Sequence, residues 1–351
     1  MPAHRKVPPE ILELRSVYQN AQINLINTIA RKKARGNVTA FSESLLRQVN
    51  KELAALDQFA ISWTAEQIGG RYMVSAERTY SQLRQANLTI ADYAVDPRRI
   101  RILAANAAGQ LIDAHQFVGR TINDYIRQAG IEAAAQKFAT GATVKETKRI
   151  LIDKLTSHGI TGIRDKRGRL IRLDAYAETV ARSTTREASN LATVEQLQAH
   201  DHDLVEMSSH ASACRICAPL EGRVYSISGT DGRYPRLDFA YGEGYANIHP
   251  NCQHVLTPYI EKFDSNAERK RQESNRSFDT DPRSKAQQDA YNAAQRKNTV
   301  LRNDRNQWER YRLAMPADTP ATFSAFRRSK TAGGPLYNEL ESKYRSLAMR
   351  N

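Results

Sequence analysis

The chain has 351 residues, of which 40% are hydrophobic and 26% are charged, a composition typical of folded proteins with two or three cores. No apolar run approaches the roughly 20 residues of a membrane-spanning helix, and the N-terminus lacks a secretory signal, so we expect no membrane partner and synthesis in a reducing cytoplasm. The net charge of +14 favours an anionic partner, either DNA or an acidic protein surface.

Apolar residues at helical spacing fill the first part of the chain. They predict one amphipathic helix over residues 8–34 and a second over 40–69, which the pair Gly69-Gly70 is expected to end. A further helical, alanine-rich pattern covers residues 98–154. Because few strand signals precede residue 159, we predict an elongated, all-helical N-terminal domain over residues 1–157.

The pattern changes at residue 158. Residues 160–173 predict two short strands around a glycine-containing turn, and Asp174 is a favourable N-cap for a helix over residues 175–199. Along that helix, three polar residues recur every four positions and share one face: Arg182, Arg186 and Asn190. This face is either solvated or contacts a partner subunit or the neighbouring cysteine-containing module.

All three cysteines and three of the eight histidines lie between residues 208 and 254. Cys214 and Cys217 are spaced as Cys-x-x-Cys, and Cys252 follows after a loop. Three thiolates and one imidazole form a tetrahedral donor set that structural Zn²⁺ prefers. The residues therefore predict a Cys₃His zinc site in a small α+β module over residues 158–260.

The fourth zinc ligand is open between two histidines. His249 precedes Cys252 by three residues and His254 follows it by two, whereas His210 is a weaker candidate. A closed Cys₃His site is structural, while a nuclease would need an open metal position and a carboxylate for Mg²⁺. We predict a structural zinc and no enzyme activity, and the alternatives are metal-free buried thiols or a metal-dependent nuclease.

The last quarter of the chain is basic, with 19 Lys and Arg against 11 Asp and Glu after Glu261, so it holds +8 of the net charge. Its pattern is partly helical without a continuous apolar stripe, which predicts an extended, partner-dependent region over residues 261–351. Trp308 and Tyr311 stand among arginines and are candidate partner contacts. Interspersed acidic residues favour a protein groove over DNA as that partner.

Three motifs resemble a known family, the phage minor capsid protein type 2 family, whose relatives include head-morphogenesis proteins of Mu-like phages. The motifs are Arg-Ser-Thr-Thr-Arg-Glu-Ala-Ser-Asn at 182–190, Cys-Arg-Ile-Cys-Ala-Pro-Leu-Glu-Gly-Arg-Val-Tyr at 214–225, and Ile-His-Pro-Asn-Cys-Gln-His at 248–254. Gln253 stands where the family usually has arginine.

The resemblance implies a minor structural protein of a tailed-phage head, located at the portal or inner capsid after assembly in the host cytoplasm. Its expected partners are the portal and major capsid proteins, with packaged DNA as a further candidate. The alternative function is that of a nuclease or DNA-binding protein acting on phage DNA. The predicted fold is mainly α with a small α+β zinc-binding module.

Overall fold

The computed structural model describes residues 7–32, 37–93, 95–140, 144–158, 162–165, 168–210, 213–241 and 248–348. In these ranges the chain is mainly helical with a small sheet, as the sequence predicts. The helices are α1 (Pro9–Arg31), α2 (Val38–Gln85), α3 (Pro97–Thr140), α4 (Val144–His158), α5 (Leu173–Ala199), α6 (Asp238–Tyr241), α7 (Ala267–Ser274), α8 (Lys285–Ala314), α9 (Phe323–Ala332) and α10 (Pro335–Ala348). Within the described part of the chain, no helix has the length and apolar character needed to cross a membrane.

The strands are short and form two antiparallel sheets. They are β1 (Gly162–Arg164), β2 (Leu170–Arg172), β3 (Leu204–Met207), β4 (Val224–Ser226) and β5 (Leu256–Pro258). β1 pairs with β2, and β3 lies between β4 and β5. A 3-10 helix over Glu261–Phe263 follows the second sheet.

Two compact units are built from alternating stretches of the chain. The first comprises residues 1–14, 59–111 and 177–294, and the second comprises residues 15–58, 112–176 and 295–351. Long helices therefore contribute residues to both units. The division into three consecutive domains, over residues 1–157, 158–260 and 261–351, stays a prediction.

Helix α2 runs through Gly69-Gly70 to Gln85, so the predicted end at this pair was wrong. Ile68, Tyr72 and Ala76 on the same helix are fully buried. Each glycine costs a helix about 1 kcal/mol relative to alanine. Burial of the side chains on both sides of the pair offsets this cost, so packing overrides the local propensity.

The predicted hairpin is confirmed for the described residues, where Ile163 pairs with Ile171; residues 160, 161, 166 and 167 of the predicted segment lie outside them. Helix α5 begins at Leu173, one residue before the expected N-cap Asp174. The Asp174 carboxylate instead accepts a hydrogen bond from Arg172 Nε at 2.8 Å. The prediction that Asp174 caps the helix was therefore wrong, because its carboxylate is hydrogen-bonded to the buried Arg172 side chain.

The C-terminal helices close on an aromatic cluster in the second unit: Trp308, Tyr311, Met315, Phe326, Tyr337 and Leu340. Trp308 is fully buried, Tyr311 is 4% exposed, and the Trp308 indole donates to Pro320 O at 2.9 Å. The prediction of an extended, partner-dependent region is wrong here, and these two rings are core residues instead of partner contacts. The cause is that helices α8, α9 and α10 bury one another's aromatic side chains.

Candidate metal centre

The three-stranded sheet of the first unit presents both cysteine-bearing segments at one end of β3. The N–H of Gly222 donates to Met207 O at 2.9 Å, and the N–H of Ser208 donates to Val255 O at 3.0 Å. The segment after β3 therefore returns beside its own start and beside the segment that holds Cys252. Gly222 has φ +71°, and a Cβ there would lie 2.7 Å from Ser209 Oγ, so this return needs glycine.

Cys214 and Cys217 lie on one tight turn, in which the N–H of Ala218 donates to Cys214 O at 2.9 Å. The pKa of the Cys214 thiol falls to about 3, chiefly through its hydrogen bond with Cys217. Burial opposes this shift, whereas His249 and the backbone amides of Ile216 and Cys217 add to it. Amides directed at a sulfur in this way stabilise a thiolate, the form that binds metals.

Four donor side chains surround Cys217: those of Cys214, Cys252, His249 and His254. His249 Nε2 lies 3.2 Å from Cys214 Sγ and 3.1 Å from Cys217 Sγ. Cys217 Sγ lies 3.9 Å from Cys252 Sγ, which lies 3.5 Å from His254 Nδ1. Ligands at about 2.0–2.3 Å from a tetrahedral zinc are separated by about 3.5–3.8 Å, which the Cys217–Cys252 and Cys252–His254 spacings approach, whereas the two spacings from His249 are shorter. All three cysteines are free thiols.

Both imidazoles have their outer nitrogen engaged. His249 Nδ1 lies 2.7 Å from Pro250 O, and His254 Nε2 lies 3.0 Å from Glu221 Oε2. Such outer partners accept the N–H and leave the other nitrogen free to bind a metal. His210 instead directs Nε2 to Gln253 O at 3.2 Å, and it belongs to neither of the two converging donor groups found in the described residues.

The thiols and imidazoles of this cluster shift one another's pKa values. Hydrogen bonding to Cys217 lowers the pKa of Cys252 to about 4, and hydrogen bonding to Cys214 raises the pKa of His249 to about 9. Burial lowers the pKa of His254, but Cys252 and Glu221 outweigh it and raise the value to about 9. The pKa of Cys217 is raised, first through its hydrogen bond with Cys214. A bound metal would displace the protons that these side chains otherwise hold.

Helix α5 supports the segment that carries His249 and Cys252. Asn251 has φ +67°, and its Nδ2 donates to Thr179 Oγ1 of α5 at 3.1 Å. Asn190 is fully buried, and its Oδ1 accepts a hydrogen bond from the N–H of Leu256 at 3.0 Å. The sequence left open whether this face of α5 contacts a partner subunit or the cysteine-containing module. For Asn190 the structure shows the contact with the module, and the complete burial of its side chain leaves no surface for a partner subunit.

The two arginines of that face lie elsewhere. Arg182 Nη2 pairs with Glu178 Oε1 at 2.6 Å within α5. Arg186 is half-buried and, with Arg182, Arg71 and Cys252, lines a cavity of about 40 Å³. Their role as partner contacts stays a prediction.

The contacts of two residues at the site, Glu221 and Asn251, were not predicted from the sequence. Glu221 holds His254, and Asn251 holds the turn between His249 and Cys252. No spacing rule links residue 221 to residue 254, so the Glu221 contact had no signal. For Asn251, the sequence Pro-Asn between two candidate ligands was an available turn signal.

The fold and site define a mainly helical protein with a small cysteine- and histidine-containing module. The family model described as phage minor capsid protein 2 matches residues 12–332, so the chain belongs to this family. A "Structural protein" of Lactococcus phage LL-H is 33% identical over 117 residues, which is 31% of this chain and 32% of that protein. The match thus spans about a third of the relative's length, and no solved structure matches the chain. The resemblance of the three motifs to this family is therefore confirmed.

Proposed function

We propose that the chain is a minor structural protein of a tailed-phage head, where it takes part in head morphogenesis at the portal or inner capsid. The observation that carries this proposal is the family match over residues 12–332. The net charge of +14 supports acidic surfaces of the portal and major capsid proteins, or packaged DNA, as partners.

The test is to purify heads from infected cells and to quantify the chain by mass spectrometry before and after a wash with 1 M salt. We expect the chain in the heads at a constant ratio to the portal protein. Release by salt would indicate surface attachment through charge, whereas retention would indicate a copy wedged in the shell. Heads of normal composition that lack the chain would contradict the proposal.

We further propose that the module holds one structural zinc ion, bound by Cys214, Cys217, Cys252 and either His249 or His254. The convergence of these donors around Cys217 supports this assignment. A zinc ion there would neutralise thiolate charge. It would also cross-link the segment before β4, which carries Cys214 and Cys217, to the segment before β5, which carries Cys252; the backbone pairing of the sheet holds these segments only at their ends. Structural zinc contributes on the order of 10 kcal/mol to folding.

Elemental analysis of the purified chain is expected to give one zinc per molecule, which the double change Cys214→Ser and Cys217→Ser should abolish. His249→Ala and His254→Ala identify the fourth ligand, because only the change of the ligand should weaken metal binding and alter the d–d absorption of tetrahedral Co²⁺ in the cobalt-substituted chain, while the thiolate-to-cobalt charge transfer remains. His210→Ala is the matched control and should keep the metal. A chain that neither contains nor binds zinc would contradict the assignment, and cleavage of plasmid DNA with Mg²⁺ would favour the nuclease alternative.

A further inference from the structure

The segment that leads into α8 contacts the Cys214 turn. The Arg283 side chain is only 10% exposed, and its Nη1 donates to Ala213 O, directly before Cys214, at 2.9 Å. Its Nε and Nη2 donate to the Asp281 carboxylate at 2.9 and 2.7 Å. The same guanidinium lies 5.6 Å from the centre of the Tyr291 ring. Arg283 is thus fixed in one orientation beside the metal-binding turn.

The charge of the metal centre suits this arginine. Three thiolates around Zn²⁺ with a neutral imidazole carry a formal charge of −1 in a partly buried site. The negative charge on Cys214 contributes to raising the pKa of both Arg283 and Tyr291, so both side chains lie close enough to the cluster to interact with its charge. Outer groups of this kind orient metal ligands and commonly change metal affinity by about 10- to 100-fold.

The first half of α8 has few other attachments. Between residues 283 and 294 the half-buried residues are Arg283, Gln288, Tyr291 and Ala294, and the rest are exposed. Gln288 Nε2 donates to Arg283 O at 3.1 Å, and Lys285 pairs with Asp289 at 3.1 Å, so these polar contacts are local. Arg283 is therefore the side chain whose hydrogen bond joins this end of α8 to the cysteine turn, and the Tyr291 ring lies beside its guanidinium.

We propose that Arg283 is a positioning residue of the metal centre, and that a bound metal holds the start of α8 on the module through it. This inference rests on the proposed zinc site. A bound metal would fix the loop that carries Ala213 O and would hold the three thiolate charges together. Arg283 interacts with both, through its hydrogen bond to Ala213 O and through its positive charge. Loss of the metal would remove both and release residues 285–294.

The experiment is hydrogen exchange of the full chain, read by mass spectrometry over residues 286–294. Arg283→Gln tests the contact, and Arg296→Gln on the exposed face of the same helix is the matched control. With zinc bound in both variants, we expect exchange in Arg283→Gln to be faster by about tenfold or more, as loss of a charge-assisted hydrogen bond predicts. Arg296→Gln should exchange as the unchanged chain does.

Removal of zinc from the unchanged chain should give the same acceleration, whereas removal from Arg283→Gln should add little. In competition with a chromogenic chelator, Arg283→Gln should also release zinc about 10-fold more readily, and Arg283→Lys should restore part of the difference. Exchange over residues 191–199 of α5 reports whether the variant is folded.

The outcomes separate this inference from the zinc assignment. A chain that binds no zinc overturns both proposals. A chain that binds zinc, but whose residues 286–294 exchange equally fast before and after zinc removal, overturns only the role of Arg283. Equal exchange in Arg283→Gln and the unchanged chain would overturn it as well.

Discussion

A buried network of four charged side chains in the second unit allows a quantitative test. Arg172 Nη2 lies 2.8 Å from Asp174 Oδ1, and Arg172 Nη1 lies 3.0 Å from Glu309 Oε1. Arg305 Nε lies 3.5 Å from the same Glu309 oxygen. No side chain of the four is more than 11% exposed, so water cannot compensate for the loss of one charge.

The change Arg172→Met removes the cation that both carboxylates share. Asp174 then keeps a hydrogen bond from Gln19 Nε2 at 2.9 Å and an ion pair with the partly exposed Arg15 at 3.9 Å, and Glu309 keeps the more distant Arg305. The Arg172–Glu309 pair has ion-pair distance without hydrogen-bond alignment, so we assign most of the loss to Asp174. Removing one partner of a buried pair costs about 3–5 kcal/mol. With a urea dependence of about 2 kcal/mol per M, the unfolding midpoint should fall by about 1.5–2.5 M.

The assay uses the two tryptophans, Trp63 in the first unit and Trp308 in the second. In a Trp63→Phe background, fluorescence during a urea titration reports on the second unit through Trp308. The control is Arg345→Met, since Arg345 pairs with Glu341 at the surface and is 69% exposed, and it should change stability by less than about 0.5 kcal/mol. A midpoint for Arg172→Met within about 0.3 M of the unchanged chain would refute the reasoning.

Three further predictions concern single residues. Burial alone would raise the pKa of Asp174, but Arg172, Gln19 and Arg15 together outweigh burial and lower this pKa below its ordinary value of 3.8. The ionised carboxylate therefore stabilises the fold above pH 3.8, and this stabilisation is lost as the pH falls through the folded-state pKa. Asp174→Asn should make the melting temperature less dependent on pH below about 4, and an unchanged dependence would contradict this. Arg223 donates to the carbonyls of Ser274 and Ser277 at 2.9 Å, so Arg223→Lys should speed hydrogen exchange over residues 270–280, and equal exchange would contradict this. Asn251→Ala should cost about 1–2 kcal/mol of stability because φ is +67°, whereas Asn251→Gly should cost less, as thermal unfolding of the zinc-bound chain would show.

Much of the helical fold could be predicted from local pattern. The 3.6-residue spacing of apolar side chains indicated α1 within a few residues of its ends, because one buried face is enough to specify an amphipathic helix. The helix predicted over residues 175–199 corresponds to α5 within two residues of its ends. The hairpin β1–β2 followed from alternation around a glycine turn, in which Gly168 has φ +73°.

Two predictions made from local sequence pattern were wrong, because tertiary packing determined the structure at these positions. Gly69-Gly70 lies inside α2 since the neighbouring side chains are buried, and an end at the glycines would expose them. Trp308 and Tyr311 lack a continuous stripe around them, yet they meet Phe326, Tyr337 and Leu340 from helices that follow later in the chain. A pattern within one helix carries no information about such partners.

The sequence by itself determined the family, the mainly helical class and the gathering of three cysteines with His249 and His254, because motif spacing and periodicity are local properties. Only the tertiary structure decided that both histidines direct a ring nitrogen toward the cysteine sulfurs. It also decided that Glu221 contacts His254 and that Arg283 donates to Ala213 O beside Cys214. Those contacts join residues 33 and 70 positions apart. Hydrogen bonds and charge at about 3 Å depend on where the folded backbone brings such residues together, which no spacing along the chain encodes.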